Sequence, residues 1–590
     1  MKRIISLLLM LVMLLGSLTA LTSCGAPKND GAEINVYLGS QVFDFDPSDY
    51  YVSANAERIL SLVFEPLFTL KKNGKLKCAA AESYKVDKDE RKIVIDIRES
   101  YWSDNSQVTA ADFVYAWCER IINSSKPNPA AALFVDIEGV KEAMNGEGSI
   151  SDIAIKATEM DQITITYCEG ADYERILTNL ASVATSPVRQ SMAESADTYW
   201  SKFSTVTNGA FKIKSYDKSE GTFELTRNIG YHQDYTVKDY DNKVNPGMLY
   251  GEFSFPISDE HPGVTVSYDD IVNRVTFIMA DASLADRADY AKKAKVQDHT
   301  SVYTYVFNTS HPLFADANVR RALSAAIDRN DIIEAITFGK AADGFVPDVS
   351  GGAKESFISS GANMAKAQEY LALVDASLIA ANRTFTLTIN PDEESIAVAE
   401  IVKAAWTELG FTVNVSHAAP VESELADEST VLDSGIQYLV KSASYGDVQY
   451  DVIAVDWQTF TLDAMPALAS LTSNLNGMGK NQHSGDVANG QPDYSVARSN
   501  IAGWSDAEYD KLVAAALACE NDKDRAAKLA EAEEYLIGEM PVCPLVFNQS
   551  FVFVGSKISK FKFDGLGNLR LEDVKLSGYK KYYKPEETEE

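Results

Sequence analysis

Cysteine, histidine and basic charge are all scarce in this chain of 590 residues, and each shortage excludes something. Six cysteines are too few for a disulfide scaffold, and none forms a Cys-x-x-Cys pair or sits beside a histidine. Lys plus Arg total 54 against 85 Asp plus Glu, a formal net charge of −31. Nucleic-acid binding needs a basic surface to displace counterions, so no such partner is expected. The six histidines stand at 232, 261, 299, 311, 417 and 483, without the His-Glu-x-x-His spacing that places two imidazoles on one helix face. No metal and no cofactor is predicted. Also missing are a Gly-x-Ser-x-Gly elbow and a Gly-x-x-x-x-Gly-Lys phosphate loop, and Gly477-Met478-Gly479 lacks the third glycine of a dinucleotide site. The acidic pairs Asp44/Asp46 and Asp239/Asp241 read as turn or cap residues, and Lys243 spoils any calcium loop after Asp239. Catalytic triads assemble in space, so missing motifs alone do not exclude an enzyme. No catalytic residue emerges, and the expectation is a protein that is not an enzyme.

Met1-Lys2-Arg3 and the apolar run Ile4 to Leu15 form a signal-type start, too short to span a bilayer, which takes about 20 residues. Leu21-Thr22-Ser23-Cys24 resembles a bacterial lipobox, whose cysteine sulfur takes a diacylglyceryl group and becomes the mature N-terminus. Two acyl chains suffice for stable anchoring. The expectation is a signal peptide over 1–23, a tether over 24–32, and a body held at the extracytoplasmic face of the cell membrane. No later stretch approaches about 18 uninterrupted apolar residues. With Cys24 acylated, five cysteines remain (Cys78, Cys118, Cys168, Cys519, Cys543), an odd number that leaves at least one thiol free.

Strand and helix patterns alternate along the body. Ile93, Ile95 and Ile97 have strand periodicity; 153–156 with 163–167, and 209–216 with 221–227, read as hairpins. Thr109 with Asp112, and Ser505 with Glu508, have capping-box spacing. Val319, Ala322, Leu323, Ala326 and Ile327 share a helix face before a break at Asp328, and Pro541 stops a helix holding Leu529, Leu536 and Ile537. Tyr240–Pro262 and Asn474–Asn500, rich in turn formers, read as surface loops. The mixture predicts an α/β (mixed α+β) protein of several lobes.

Several blocks carry a more specific signal: Ser40-Gln41-Val42-Phe43-Asp44-Phe45-Asp46-Pro47; Tyr101-Trp102-Ser103-Asp104 through Thr109-Ala110-Ala111-Asp112-Phe113 to Trp117; Asn208-Gly209-Ala210-Phe211-Lys212; Asn318-Val319-Arg320-Arg321-Ala322-Leu323 through Asp328-Arg329; and Trp504-Ser505-Asp506 on to Met540-Pro541. In this order they resemble the family 5 extracellular solute-binding proteins, the oligopeptide- and dipeptide-binding class of ABC importers. Many of these residues also read as core or caps: Phe113, Tyr115 and Trp117 as core, Arg320 and Asp328 as helix packing and termination.

The resemblance implies a periplasmic-binding-protein-like type II fold, two lobes joined by a hinge plus an extra subdomain. Lobe I would comprise 33–66, 203–300 and 547–585; the extra subdomain 67–202; lobe II 301–546; and 586–590 a tail. Hinges would lie near 300–306 and 543–549. It further implies capture of a small solute, an oligopeptide above all, by a monomer that delivers it to ABC permease subunits. Gln41, Val42 and Phe43 would line one wall of the cleft and Asp456, Trp457, Gln458, Thr459 and Phe460 the other. Relatives commonly carry an aspartate three residues after the tryptophan to receive a peptide's α-ammonium; here that position is Phe460. Asp456 and Asp463 are the candidates to replace it, unless the ligand has no amine there. One of Tyr303 and Tyr305 is expected to face the cleft. Phe460 also keeps open a non-peptide cargo, such as an oligosaccharide, or a surface receptor.

Overall fold

A computed structural model describes residues 33–42, 45–48, 54–123, 128–144, 148–193, 205–217, 219–232, 243–244, 247–254, 266–272, 276–353, 355–424, 430–433, 435–444, 447–473, 500–519 and 521–578. The predicted signal peptide, tether, Cys24, Phe43, the 474–499 part of the second loop and the tail lie outside these residues.

Its frame is an eleven-stranded mixed sheet. In chain order the strands are β1 (Glu33–Ser40), β2 (Phe211–Asp217), β3 (Thr222–Arg227), β4 (Met248–Ser254), β5 (Phe277–Met279), β6 (Lys295–Phe307), β7 (Lys340–Ala341), β8 (Thr384–Ile389), β9 (Thr412–His417), β10 (Val452–Gln458) and β11 (Val542–Val554). Across the sheet they run β9-β8-β10-β6-β11-β5-β1-β4-β3-β2, with β7 against β11. Two parallel groups, β5-β1-β4 and β9-β8-β10, stand on either side of the long antiparallel pair β6 and β11. In that pair the register lapses between Asp298/Gln549 and Val302/Phe547 and shifts again by one residue between Tyr303/Val546 and Thr304/Pro544. A second, antiparallel sheet of four strands, in the order Ala81–Asp87, Lys92–Ile97, Gln162–Thr166 and Ile155–Glu159, falls wholly within 67–202.

Local sequence explains much of this. Ile93, Ile95 and Ile97 are all buried on one face, and both predicted hairpins form. Thr109 and Asp112 make the predicted capping box. The Ser505/Glu508 box does not form: Asp506 is the cap and accepts from the amides of Glu508 and Tyr509, because a carboxylate takes two orphan donors at once. Asp328 likewise begins a helix, Arg329–Ile336, rather than ending one. Arg320 is buried and donates to the carbonyls of Phe314 and Glu539, each at 2.6 Å.

Part of the predicted 240–262 loop is a strand. Residues 248–254 are β4, with Leu249, Gly251 and Phe253 facing inward. A glycine at the middle inward position hides the alternation, and the fold requires it: a Cβ on Gly251 would sit 1.7 Å from the Phe223 ring. All five described cysteines are free thiols.

Under the β9-β8-β10 side, helix α3 (Glu393–Glu408) buries Trp406 against Tyr305 and Phe385, with ring centroids 6.0 and 5.6 Å away. Two shorter helices matter below: α1 (Ala54–Val63) and α2 (Leu284–Tyr290).

Candidate binding site

In a sheet with parallel strands, chain leaving the carboxyl ends diverges and opens a crevice there. This molecule has two such groups, and both point their carboxyl ends at one cavity of about 190 Å³. Ser40 ends β1, and Gln41 and Val42 follow it; Ser254 ends β4; Asp281 and Ala282 follow β5. From the other group, Asn390 to Ser395 follow β8, Ala418 and Pro420 follow β9, and Asp456 lies near the end of β10. Asn548 of β11 lines it in the lapse of the β6–β11 pairing, and Gln549 and Ser550 line it just beyond, where the two strands pair again.

The two groups touch across the cavity through α2 and α3. Arg287, buried on α2, binds Asp281 at 2.5 Å and also pairs with Glu394 in the first turn of α3. Its guanidinium stacks over the Phe551 ring, 4.9 Å from the centroid. The Leu284 amide, an orphan donor at the start of α2, donates to Glu393 at 3.1 Å. Asp281 fits because Gly39 (φ +88°) has no side chain: a Cβ there would lie 2.4 Å from an Asp281 carboxylate oxygen.

Two further carboxylates line the cavity. Asp392 caps α3, accepting from the Ser395 amide at 2.8 Å and its hydroxyl at 2.9 Å. Burial pushes its pKa up to about 7, with the charges of Glu394 and Asp456 adding to the shift. Asp456 accepts from Asn548 at 2.8 Å, and burial pushes it up to about 6. A polar chain fixes it from behind: Asn548 also donates to Ser301, Ser301 meets Nδ1 of His299 at 2.8 Å, and Nε2 of His299 lies 3.4 Å from the buried Glu57 of α1. Asp456 stands opposite Tyr303 in the β6–β10 register.

The residues singled out from sequence separate into two sets. Gln41, Val42, Tyr303 and Asp456 line the cavity. The 41–42 turn is held by Tyr216, whose hydroxyl donates to the Val42 carbonyl and receives Gln41 at 3.5 Å. Phe43 lies outside the described residues. Tyr305, Trp457, Gln458, Thr459, Phe460 and Asp463 are off the wall. Tyr305 is sealed under Trp406. Trp457 points to the opposite face of β10 from Asp456 and packs on Phe345, 5.7 Å between centroids. Gln458 pairs with Ser301 and is fully buried. Thr459 donates through its hydroxyl to the Thr300 carbonyl at 2.9 Å. Phe460 is buried with φ +64°. Asp463 is held by Arg525 in a two-pronged ion pair, both contacts 2.7 Å; burial opposes its charge, yet Arg525 keeps the carboxyl below the usual range.

Asp281, Arg287, His299, Asp392, Glu394 and Asn548 were not singled out from sequence. Their positions after strand ends (Arg287 on the helix that follows β5), or in the lapse of the β6–β11 ladder, are a signal that depends on knowing which strands lie parallel. Among the described residues no group of His, Cys, Asp and Glu is arranged to hold a metal ion.

A two-group sheet with its cavity at the carboxyl ends is the architecture of a solute receptor, and residues 75–479 match the family of bacterial extracellular solute-binding proteins, family 5 Middle. The chain belongs to that family of transport binding proteins, which are not enzymes, and its fold is the type II arrangement. It is 25% identical over 555 residues to the periplasmic oligopeptide-binding protein OppA of Salmonella typhimurium, covering 90% of this chain and 92% of the relative. To the dipeptide-binding protein DppE of Bacillus subtilis it is 24% identical over 501 residues, covering 83% and 82%. The substrate-binding domain of an oligopeptide ABC transporter from Bacillus anthracis superimposes with a TM-score of 0.72 at 18% identity, covering 92% of this chain and 99% of that one. No helix among the described residues is long and apolar enough to cross a membrane.

Proposed function

We propose that the chain captures oligopeptides outside the cytoplasm and delivers them to the permease subunits of an ABC importer, tethered to the membrane as a monomer through acylated Cys24. The observation that carries this reading is the cavity, which draws its wall from the carboxyl ends of both parallel groups in a family whose relatives are named for binding peptides. In this reading 33–66, 203–300 and 547–585 form one lobe, 301–546 the other, and 67–202 an added subdomain. The lobes move about the strands near 300–306 and 543–549, where the β6–β11 ladder already lapses. A peptide bridging both walls favours the closed state in proportion to its extra affinity for it, and closure presents both lobes to the permease. Gln41, Val42, Tyr303 and Asp456 are the ligand contacts carried forward.

One observation favours a second cargo. Phe460 is uncharged and buried, and Asp463 is engaged with Arg525, so neither offers a charge to a peptide amine. An oligosaccharide needs none. Melting of the purified chain against mixed tri- to hexapeptides and against an oligosaccharide set separates the two. A true ligand at 100 times its dissociation constant adds about 2.7 kcal/mol. A shift with peptides supports the proposal; a shift with oligosaccharides alone refutes it.

A further inference from the structure

We infer that Asn179, in the 67–202 segment, is a positioning residue for the cavity: it does not line the wall, yet through a strained turn at Phe460 it sets the end of β10 and with it the place of Asp456. This rests on the reading of the cavity as the solute site and deepens it by giving the 67–202 segment a part in binding.

Beyond Asp456, β10 pairs Trp457 with Val302 and Gln458 with Ser301 of β6. Thr459 then closes the ladder by donating both its amide and its hydroxyl to the Thr300 carbonyl, each at 2.9 Å, and Ser350 meets the same hydroxyl at 2.5 Å. Thr300 lies in the lapse of the β6–β11 pairing. One residue on, the chain reverses: the Thr461 amide donates back to the Thr459 carbonyl at 2.8 Å across Phe460, whose φ is +64°. A bond spanning three residues with positive φ at the centre is the rare, strained form of the γ-turn, and a bulky aromatic is a poor residue to hold it. Such a turn persists only where its surroundings over-determine it.

Asn179 supplies the far side of that hold. The Thr461 hydroxyl donates to its Oδ1 at 2.8 Å, between residues 282 positions apart, and both side chains are buried. Asn179 is itself fixed, its Nδ2 donating to the Leu133 carbonyl at 2.9 Å. Leu133 belongs to the helical turn Pro129–Phe134, on which the helix Met465–Ala469, buried at every residue, packs. The turn is thus gripped at one end by β6, inside the lapse, and at the other by the 67–202 segment. Releasing the Asn179 end lets Phe460 relax to negative φ, which swings Thr459 off Thr300 and removes the last rung that pins β10 beyond Asp456.

Thr461→Val removes the hydroxyl at nearly constant shape, and Thr461→Ser restores it. Asn179→Ala removes the same bond from the other side. Arg175→Met cuts a neighbouring ion pair of the junction, Arg175 with Asp522 at 2.6 Å, without touching the turn. Binding of mixed tri- to hexapeptides to the full chain is read by calorimetry, amide exchange over 452–463 of the unliganded chain by mass spectrometry, and folding of each variant by its melting transition. Thr461→Val and Asn179→Ala should each bind the peptides roughly tenfold more weakly and exchange faster over 456–461, whereas Thr461→Ser and Arg175→Met match the original chain in both. If Thr461→Val and Asn179→Ala melt earlier but keep the original affinity or the original exchange, Asn179 is only structural, and the inference fails while peptide capture stands. An equal loss of affinity in Arg175→Met also overturns it, since the junction then acts without the turn. If the original chain binds no peptide, peptide capture fails and the exchange decides alone: unchanged rates overturn the positioning role, and faster rates that Thr461→Ser reverses uphold it.

Discussion

Asp463 and Asp456 make opposite predictions, and the contrast tests how the site is built. Asp463 is nearly buried and grips Arg525 through two 2.7 Å contacts, away from the cavity wall. Removing one member of a buried, doubly bonded pair strands the other charge, which typically costs about 3–5 kcal/mol. Asp463→Asn should therefore lower unfolding stability at pH 7 by about that much and leave ligand affinity nearly unchanged. The Asp463→Leu/Arg525→Met double variant should recover most of the loss, because an apolar pair of similar volume strands nothing. The carboxyl is held below its unfolded value, so this contribution is present above about pH 4 and is lost as pH falls. Asp456→Asn should do the reverse, weakening ligand with little change in melting. Urea denaturation with calorimetry on the three variants reads all of this. The reasoning is refuted if Asp463→Asn abolishes binding while stability stays within about 1 kcal/mol of the original chain.

Three further outcomes are expected. Burial raises Asp392 to about 7, so its stabilising contribution is complete below about pH 4 and disappears as pH climbs to about 7; the stability of the original chain relative to Asp392→Asn should fall by up to about 4 kcal/mol across that window, and a flat difference contradicts the shift. Arg287→Met keeps an apolar stem over Phe551 but cuts both ion pairs, so X-ray scattering of the unliganded variant should show a larger radius of gyration; an identical curve removes the cross-cavity clasp. Gly39→Ala combines φ +88° with a collision at Asp281 and should cost about 1–3 kcal/mol by thermal melting, whereas a neutral result means the turn relaxes freely.

What sequence could reveal followed the range of the interactions. The 155–166 and 211–227 hairpins and the Thr109–Asp112 cap are settled within a few residues, so periodicity and spacing find them. Asp456 was legible, but its neighbours were grouped with it too broadly. Strand period two sends Trp457 to the far face, and Tyr305, on the same face as Tyr303, lies further along β6 beneath Trp406. Asp392, Arg287 and Asn548 were illegible for a different reason. They lie 105 and 156 positions apart along the chain (392 − 287 and 548 − 392), and only the strand order brings them to one cavity. Strand β4 escaped notice because Gly251, which makes room for Phe223, interrupts its apolar alternation.

The chain of contacts from Glu57 through His299, Ser301 and Asn548 to Asp456 has a consequence for how such a receptor diversifies. The position of Asp456 is set from the rear through Glu57, on a helix whose Ala56 and Arg58 also reach the wall, whereas Ser254, Ile436 and Gln437 line the cavity without joining that chain of contacts. Ser254, Ile436 and Gln437 can therefore be exchanged without disturbing the contacts that hold Asp456 in place.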